Sequence, residues 1–174
     1  MNALVIPTYD ITPEQWAEFA KAAAIPPEDV GGKHIVPYVL LHSPTQQHVH
    51  QQTDRISTTV KTKFSSATWQ EMRDTVLELG EQEPPNIHTL YFLILDKQSI
   101  EDRRVIVMQR DGKYVNAEGQ ECWPVPGDYA TWINVWKRHR VPFEKAWVTV
   151  AMIDTHGGLD EEPYLEEVME EQPE

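Results

Sequence analysis

Apolar and polar residues follow two rhythms along the chain, and each change of rhythm marks an element. In "DITPEQWAEFAKAAA" Trp16, Phe19 and Ala20 recur at helical spacing behind Thr12, Pro13 and Gln15. That order predicts a helix with Thr12 as N-cap, a proline at its first position and a capping box closed by Gln15. "SSATWQEMRDTVLELG" repeats the design, with Trp69, Met72, Val76 and Leu79 as the stripe and Gly80 at the end. "HIVPYVLL" is rich in β-branched and aromatic residues but holds Pro37, which cannot donate to a ladder, so it predicts an edge strand. "RISTTVKTKF" alternates with period two, as a half-exposed strand does. "HTLYFLILD" is unbroken and apolar, the pattern of a strand buried on both faces, and Asp96 ends it.

Downstream, "RRVIVMQ" predicts a further strand, and Asp111 with Gly112 a turn into "KYVNAEGQECWPV", making a hairpin. "PGDYATWINVWKRHR" places Tyr129, Trp132, Ile133 and Trp136 at helical spacing. "PFEKAWVTVAMIDTHGG" opens on a proline, closes on two glycines and carries Phe143, Ala146, Trp147 and Val150 on one face. Both are assigned as helices, although "WVTVAMI" would also suit a strand. The sum is a single α+β domain over residues 1–159, with a mixed, mostly antiparallel sheet of about five strands covered by three or four helices.

Charge changes the picture at one end. Residues 160–174 hold eight acidic and no basic side chains, out of a formal net charge of −13 for the whole chain. A mobile acidic tail is expected there, and the remainder is only mildly acidic. Such a balance argues against nucleic acid and against anionic membranes as partners, since both need Lys and Arg. Cys122 is the single cysteine, which rules out an intramolecular disulfide and a multi-cysteine zinc site. With "MNALVIPTYDITPEQW" unlike a signal peptide, a cytoplasmic location is expected.

The segments "FLILDKQSIEDRRVIVMQRDG" and "VPGDYATWINVWKRHRVPFEKA" resemble the central motifs of a bacterial and fungal domain-of-unknown-function family over about residues 64–147. Its pattern is a Trp-containing helix start, an apolar strand ending in Asp with Ser or Thr three residues on, and a Val-Pro entering an Asn-containing helix. The corresponding positions are Trp69, Asp96, Ser99, Asp102, Val125, Pro126, Asn134, Phe143 and Glu144. "KFS" stands where that family has Asp-Phe-Ser. The resemblance implies a compact α+β fold and carries no activity with it.

Candidate chemistry comes from the residues. "HSPTQQHVHQQTD" holds three histidines, four glutamines and an aspartate in thirteen residues. His48 and His50 would share a face on a strand, with His42 or Asp54 as a third metal ligand. The segment lacks an apolar frame and any helical zinc signature, so it is assigned as a solvated loop, or a lid over a pocket, and no metal is expected. Trp123, Tyr129, Trp132 and Trp136 form an aromatic concentration that suits either a core or a cleft for a flat organic ligand. In "KRHR", Arg138 and Arg140 are candidate anion clamps and His139 a proton shuttle, against the plainer role of complementing a helix dipole. Asp96 and Asp128 are the carboxylates placed for general-base work, with a strand-end turn and a first-turn position favoured by the helix dipole as their respective structural alternatives.

Glycine-rich phosphate loops, the dinucleotide fingerprint and the serine-hydrolase elbow are absent from the sequence. The expectation is therefore a cofactor-independent small-molecule enzyme of isomerase, cyclase or lyase type. Trp123, Trp132, Trp136, Arg138 and Arg140 would hold a small apolar or aromatic ligand, and His139, Asp128, Tyr129 and Asp96 would move protons. The alternative is a non-catalytic interaction module that uses exposed aromatics or the acidic tail.

Overall fold

The apolar run from Tyr91 to Leu95 is the axis of the structure, a computed structural model that describes residues 2–29, 31–82, 86–156, 159 and 164–174. It forms β3 (Tyr91–Leu95), buried at every position. Tyr91, Leu93 and Leu95 feed one core, and Phe92 and Ile94 feed the other, because side chains alternate across a strand. On one side β3 pairs in parallel with β1 (Ala3–Pro7), which pairs in parallel with β2 (Tyr38–Leu40) at the sheet edge. On the other side β4 (Arg104–Val115), β5 (Thr131–Pro142) and β6 (Glu166–Pro173) continue antiparallel. The order is β2-β1-β3-β4-β5-β6, a mixed and mostly antiparallel α+β sheet.

Helix α1 (Pro13–Ala22) starts as its sequence predicts. Gln15 N–H donates to the Thr12 hydroxyl at 3.3 Å, and Thr12 N–H donates to the Gln15 carboxamide oxygen at 2.9 Å. Its Trp16 and Phe19 share one core with Val150 and Ile153 of α4 (Ala146–His156). Helix α2 (Trp69–Gln82) covers the opposite face with Met72, Val76 and Leu79. Between the sheet strands, α3 (Lys97–Asp102) is capped by Asp96, whose carboxylate accepts from Ser99 N–H at 3.0 Å while the Ser99 hydroxyl accepts from Asp96 N–H at 3.2 Å. The Asp-x-x-Ser spacing singled out in the sequence is thus a reciprocal cap.

Several expectations are corrected. The segment 126–140, predicted to be a helix, instead supplies residues 131–140 of β5, which pairs with β4 from Arg104↔Pro142 to Val115↔Thr131. Trp132 and Trp136 are four apart, a spacing that satisfies period two as well as 3.6, and Thr131, Ile133, Val135 and Val141 favour the strand. Asp111 and Gly112 do not turn; they lie inside β4 opposite Val135 and Asn134. Gly112 is required for close approach: a Cβ there would stand 1.9 Å from Trp132 Cζ2. The reversal comes later, where the Asn116 carboxamide accepts from Glu118 and Gln120 N–H and Gly119 takes φ 78°.

"RISTTVKTKF" contributes only the isolated bridge Ile11↔Val60 in place of a strand. Strand β1 and helix α3 arise where neither was predicted. From Glu166 onward the tail expected to be mobile is β6, covering an edge that β5 would otherwise leave unpaired. Residues 160–163 lie outside the described residues. At its end the Glu174 carboxylate accepts from Arg110, from Asn134 Nδ2 at 2.8 Å and from the Trp136 indole N–H at 3.2 Å. Among the described residues no helix is long and apolar enough to cross a membrane.

Candidate functional site

Three parallel strands give the sheet two distinct ends. At the carboxyl ends, the crevice where α/β sheets usually hold ligands is filled by the chain itself. Thr62 donates its hydroxyl to Pro7 O at 2.7 Å, Lys61 pairs with Asp10 at 2.6 Å, and Arg140 pairs with Asp96 and with Asp102. Arg140 is 4% exposed, whereas the Lys61–Asp10 pair lies in water. The nearby Tyr9 hydroxyl is pushed up to about 12 by burial, with the charges of Asp96 and Glu18 adding to it.

The amino ends leave a hollow of about 290 Å³. Ala3 and Tyr91, the first residues of β1 and β3, form its floor with Pro37 just before β2. Trp147, Val150 and Asp154 enter from one face of α4, and Ile25, Ile35 and Gln52 form the rim. Gln52 comes from the histidine-rich segment, which therefore borders the hollow; its Nε2 donates to Asn2 Oδ1 at 3.3 Å.

Three titratable side chains meet there. The Tyr91 hydroxyl donates to Asp154 Oδ2 at 3.3 Å, and His88 Nδ1 lies 3.4 Å from Asp154 Oδ1. The imidazole stacks on the Tyr91 ring with centroids 4.6 Å apart and planes 25° from parallel. His88 and Tyr91 are buried, whereas the Asp154 side chain keeps 36% of its surface in water. Burial holds the His88 imidazole below its ordinary value, with Asp154 opposing that shift. Burial, followed by the Asp154 charge and hydrogen bond, pushes the Tyr91 hydroxyl well above the ordinary phenol range. At neutral pH the group therefore holds a neutral imidazole and a protonated phenol, both in contact with the Asp154 side chain.

The residues expected to form a site from sequence are spread more widely. Trp136 is 0% exposed and packs on Phe92 with ring centroids 5.7 Å apart. Trp123 is 88% exposed, and Asp128 and Tyr129 lie exposed in the same segment before β5. Trp132, half-exposed, stacks edge-on against Tyr114 at 4.9 Å and borders a separate hollow of about 290 Å³ with Leu90, Arg110, Gly112 and Asn134. The charges at that hollow are already matched: Arg110 by Glu174, and Asp111 by Lys137 at 2.7 Å. His139 is buried in β5 opposite Val107, and Arg138 lies opposite Met108. The structure joins Asp96 to Arg140 and separates them from the aromatic residues.

His48 takes a left-handed φ of 60°, so the 48–50 stretch is no strand, and the two rings meet edge to face at 5.8 Å around the buried Val49. Among the described residues no group of three or more His, Cys, Asp or Glu is placed to share a metal ion. A larger groove of about 660 Å³ runs beside Ala17, Lys21 and Arg103, but Arg103 is bridged there to Glu18 and Glu144.

His88, Tyr91 and Asp154 were not singled out from sequence. Tyr91 is concealed within an apolar run, and Asp154 lies 63 positions away, so only the pairing of β3 with its neighbours and the docking of α4 bring them together. The available signal is the single carboxylate one residue beyond the buried Ile153, seven positions on from Trp147 on the same helical face. No family model matches the chain, and comparisons with curated proteins and with solved structures return no match.

Proposed function

We propose that the chain is a cofactor-independent small-molecule enzyme of isomerase, cyclase or lyase type, with its chemistry in the hollow at the amino ends of β1, β2 and β3. The observation that carries this is the contact of Asp154 with both His88 and Tyr91 at a cavity close to the lower end of ligand-pocket volumes, ~300 Å³. Groups whose environments push their proton affinities apart are suited to opposite halves of a proton transfer. Asp154 favours the imidazole tautomer protonated on Nδ1, which leaves Nε2 as the basic nitrogen. Tyr91, kept protonated, supplies the donor. Ile25, Ile35 and Trp147 provide the apolar surface that excludes water from a ligand.

The test is proton exchange. A panel of small carbon acids in deuterated buffer is followed by NMR with wild type, His88→Gln and Ile35→Trp, the last plugging the rim. Deuterium uptake that requires both His88 and an open rim supports the assignment. Uptake that survives either change, or none with any member of the panel, removes it.

A second function is favoured by a separate observation, the exposure of Trp123, Val125, Tyr129 and Trp132 along one stretch. Large exposed aromatics can anchor a protein partner. A partner retained by wild type and released by a Trp123→Ser/Tyr129→Ser double variant would support an interaction module; identical retention by both would remove it.

A further inference from the structure

We infer that the ligand of the amino-end hollow is a small protonated amine carrying an apolar body, with Asp154 as its counter-ion; this rests on the site assignment above. Among the described residues, Asp154 is the one carboxylate bordering the hollow, and neither Lys nor Arg borders it. Its two contacts there are a phenol and an imidazole, which orient it. Of those, Tyr91 donates a hydrogen bond and remains neutral, so it leaves the carboxylate charge uncompensated.

The electrostatics separate three kinds of ligand. A carboxylate or phosphate would meet Asp154 with no Lys or Arg among the described lining residues to offset it, and would lose its own hydration on entry. A neutral ligand would cover the apolar lining but cover the carboxylate without pairing it. An ammonium does both: it pairs with the carboxylate, and Tyr91 and Trp147 lie in the same lining as aromatic surface for its hydrocarbon body. Because Asp154 is partly open to water, the pair forms at the mouth, where desolvation costs least. The chain's net charge of −13 draws cations toward its surface before they reach the hollow.

Size narrows the class. About 290 Å³ admits one ring and a short side arm, and excludes polyamines stretched to their full length or nucleoside-sized cations from complete burial.

The test compares three near-isosteres by calorimetry on the full chain at pH 7: 2-phenylethylamine, 2-phenylethanol and phenylacetate. The amine is expected to bind at least about tenfold more tightly than the alcohol, with phenylacetate not binding. Asp154→Asn, which preserves shape and an acceptor for Tyr91, is expected to bring the amine down to the level of the alcohol. Ile35→Trp is expected to abolish both. Equal binding of amine and alcohol, or tighter binding of phenylacetate, each blocked by Ile35→Trp, would overturn the amine assignment and leave the site in place. Binding that ignores Ile35→Trp, or no binding by any of the three, would overturn the amine assignment and the site together.

Discussion

The Asp96 carboxylate serves two elements at once, capping α3 through Ser99 and accepting from the Arg140 guanidinium at the far end of β5. Burial alone would raise its carboxyl, yet the hydrogen bonds from Arg140 and Ser99 hold it below the ordinary carboxylate value. Arg140→Ala would strand Asp96 and Asp102 beside each other without a cation. Breaking a fully buried pair costs about 3–5 kcal/mol. Here the carboxylates keep 27% and 25% of their side-chain surface in water, so the expected loss is about 2 to 3 kcal/mol by chemical denaturation. Asp102→Asn should cost less, because Asp96 still pairs with Arg140.

A helical glycine gives a prediction whose sign depends on its neighbour. Gly80 lies within α2, and a Cβ there would stand 2.2 Å from Thr89 Cγ2. Alanine gains about 1 kcal/mol of helix propensity, while overpacking costs about 1–3 kcal/mol. Gly80→Ala should therefore destabilise the wild type. With the obstructing methyl removed by Thr89→Ala, the same change should stabilise by about 1 kcal/mol, the propensity gain alone. A double-mutant cycle reads the difference, and additive effects would refute the contact.

What the sequence made legible follows from the range of the forces involved. The α1 cap, the buried β3 run and an edge strand within residues 34–41 depend on neighbours within a few residues, and all three are in the structure, the edge strand shortened to the three residues after Pro37. The β5 segment misleads because Trp132 and Trp136 fit both periodicities, and a twelve-residue ladder with β4 decides between them. For the same reason the aromatic residues do not gather: Trp136 faces the α2 core, and Trp123 and Tyr129 precede the strand. The group around Asp154 is assembled by tertiary packing, which no spacing rule along the chain records.

The proton affinity of His88 sets a pH dependence with a definite sign. Its folded value is lowered, by burial first and by the chain's amino-terminal charge as well, with Asp154 opposing. The unfolded chain takes up a proton near the ordinary value of 6.5, the folded chain only at lower pH. This contribution to stability is complete above that value and declines as pH falls from it to the folded pKa. His88→Gln should flatten the melting temperature between about pH 7 and 5, and the wild-type imidazole resonance should titrate below the ordinary value. Retention of the full wild-type slope in the variant would place the acid sensitivity elsewhere.

Two tryptophans that the sequence groups together should behave as opposites. Trp136 is fully buried against Phe92, and Glu174 accepts its indole N–H, so it carries both packing and a satisfied polar group. Trp136→Ala should cost about 3–5 kcal/mol, the range for deleting a buried aromatic. Trp136→Phe keeps much of the ring and loses the hydrogen bond to the carboxylate, for which about 1.5–3 kcal/mol is typical, less here because Glu174 regains water. Trp123, which is 88% exposed, should tolerate Ser within about 0.5 kcal/mol. Fluorescence separates them independently: loss of Trp136 should shift the mean emission to the red, and loss of Trp123 to the blue. A large stability loss from Trp123→Ser would mean that its ring has a packing partner, and the interaction role assigned to that stretch would lose its basis.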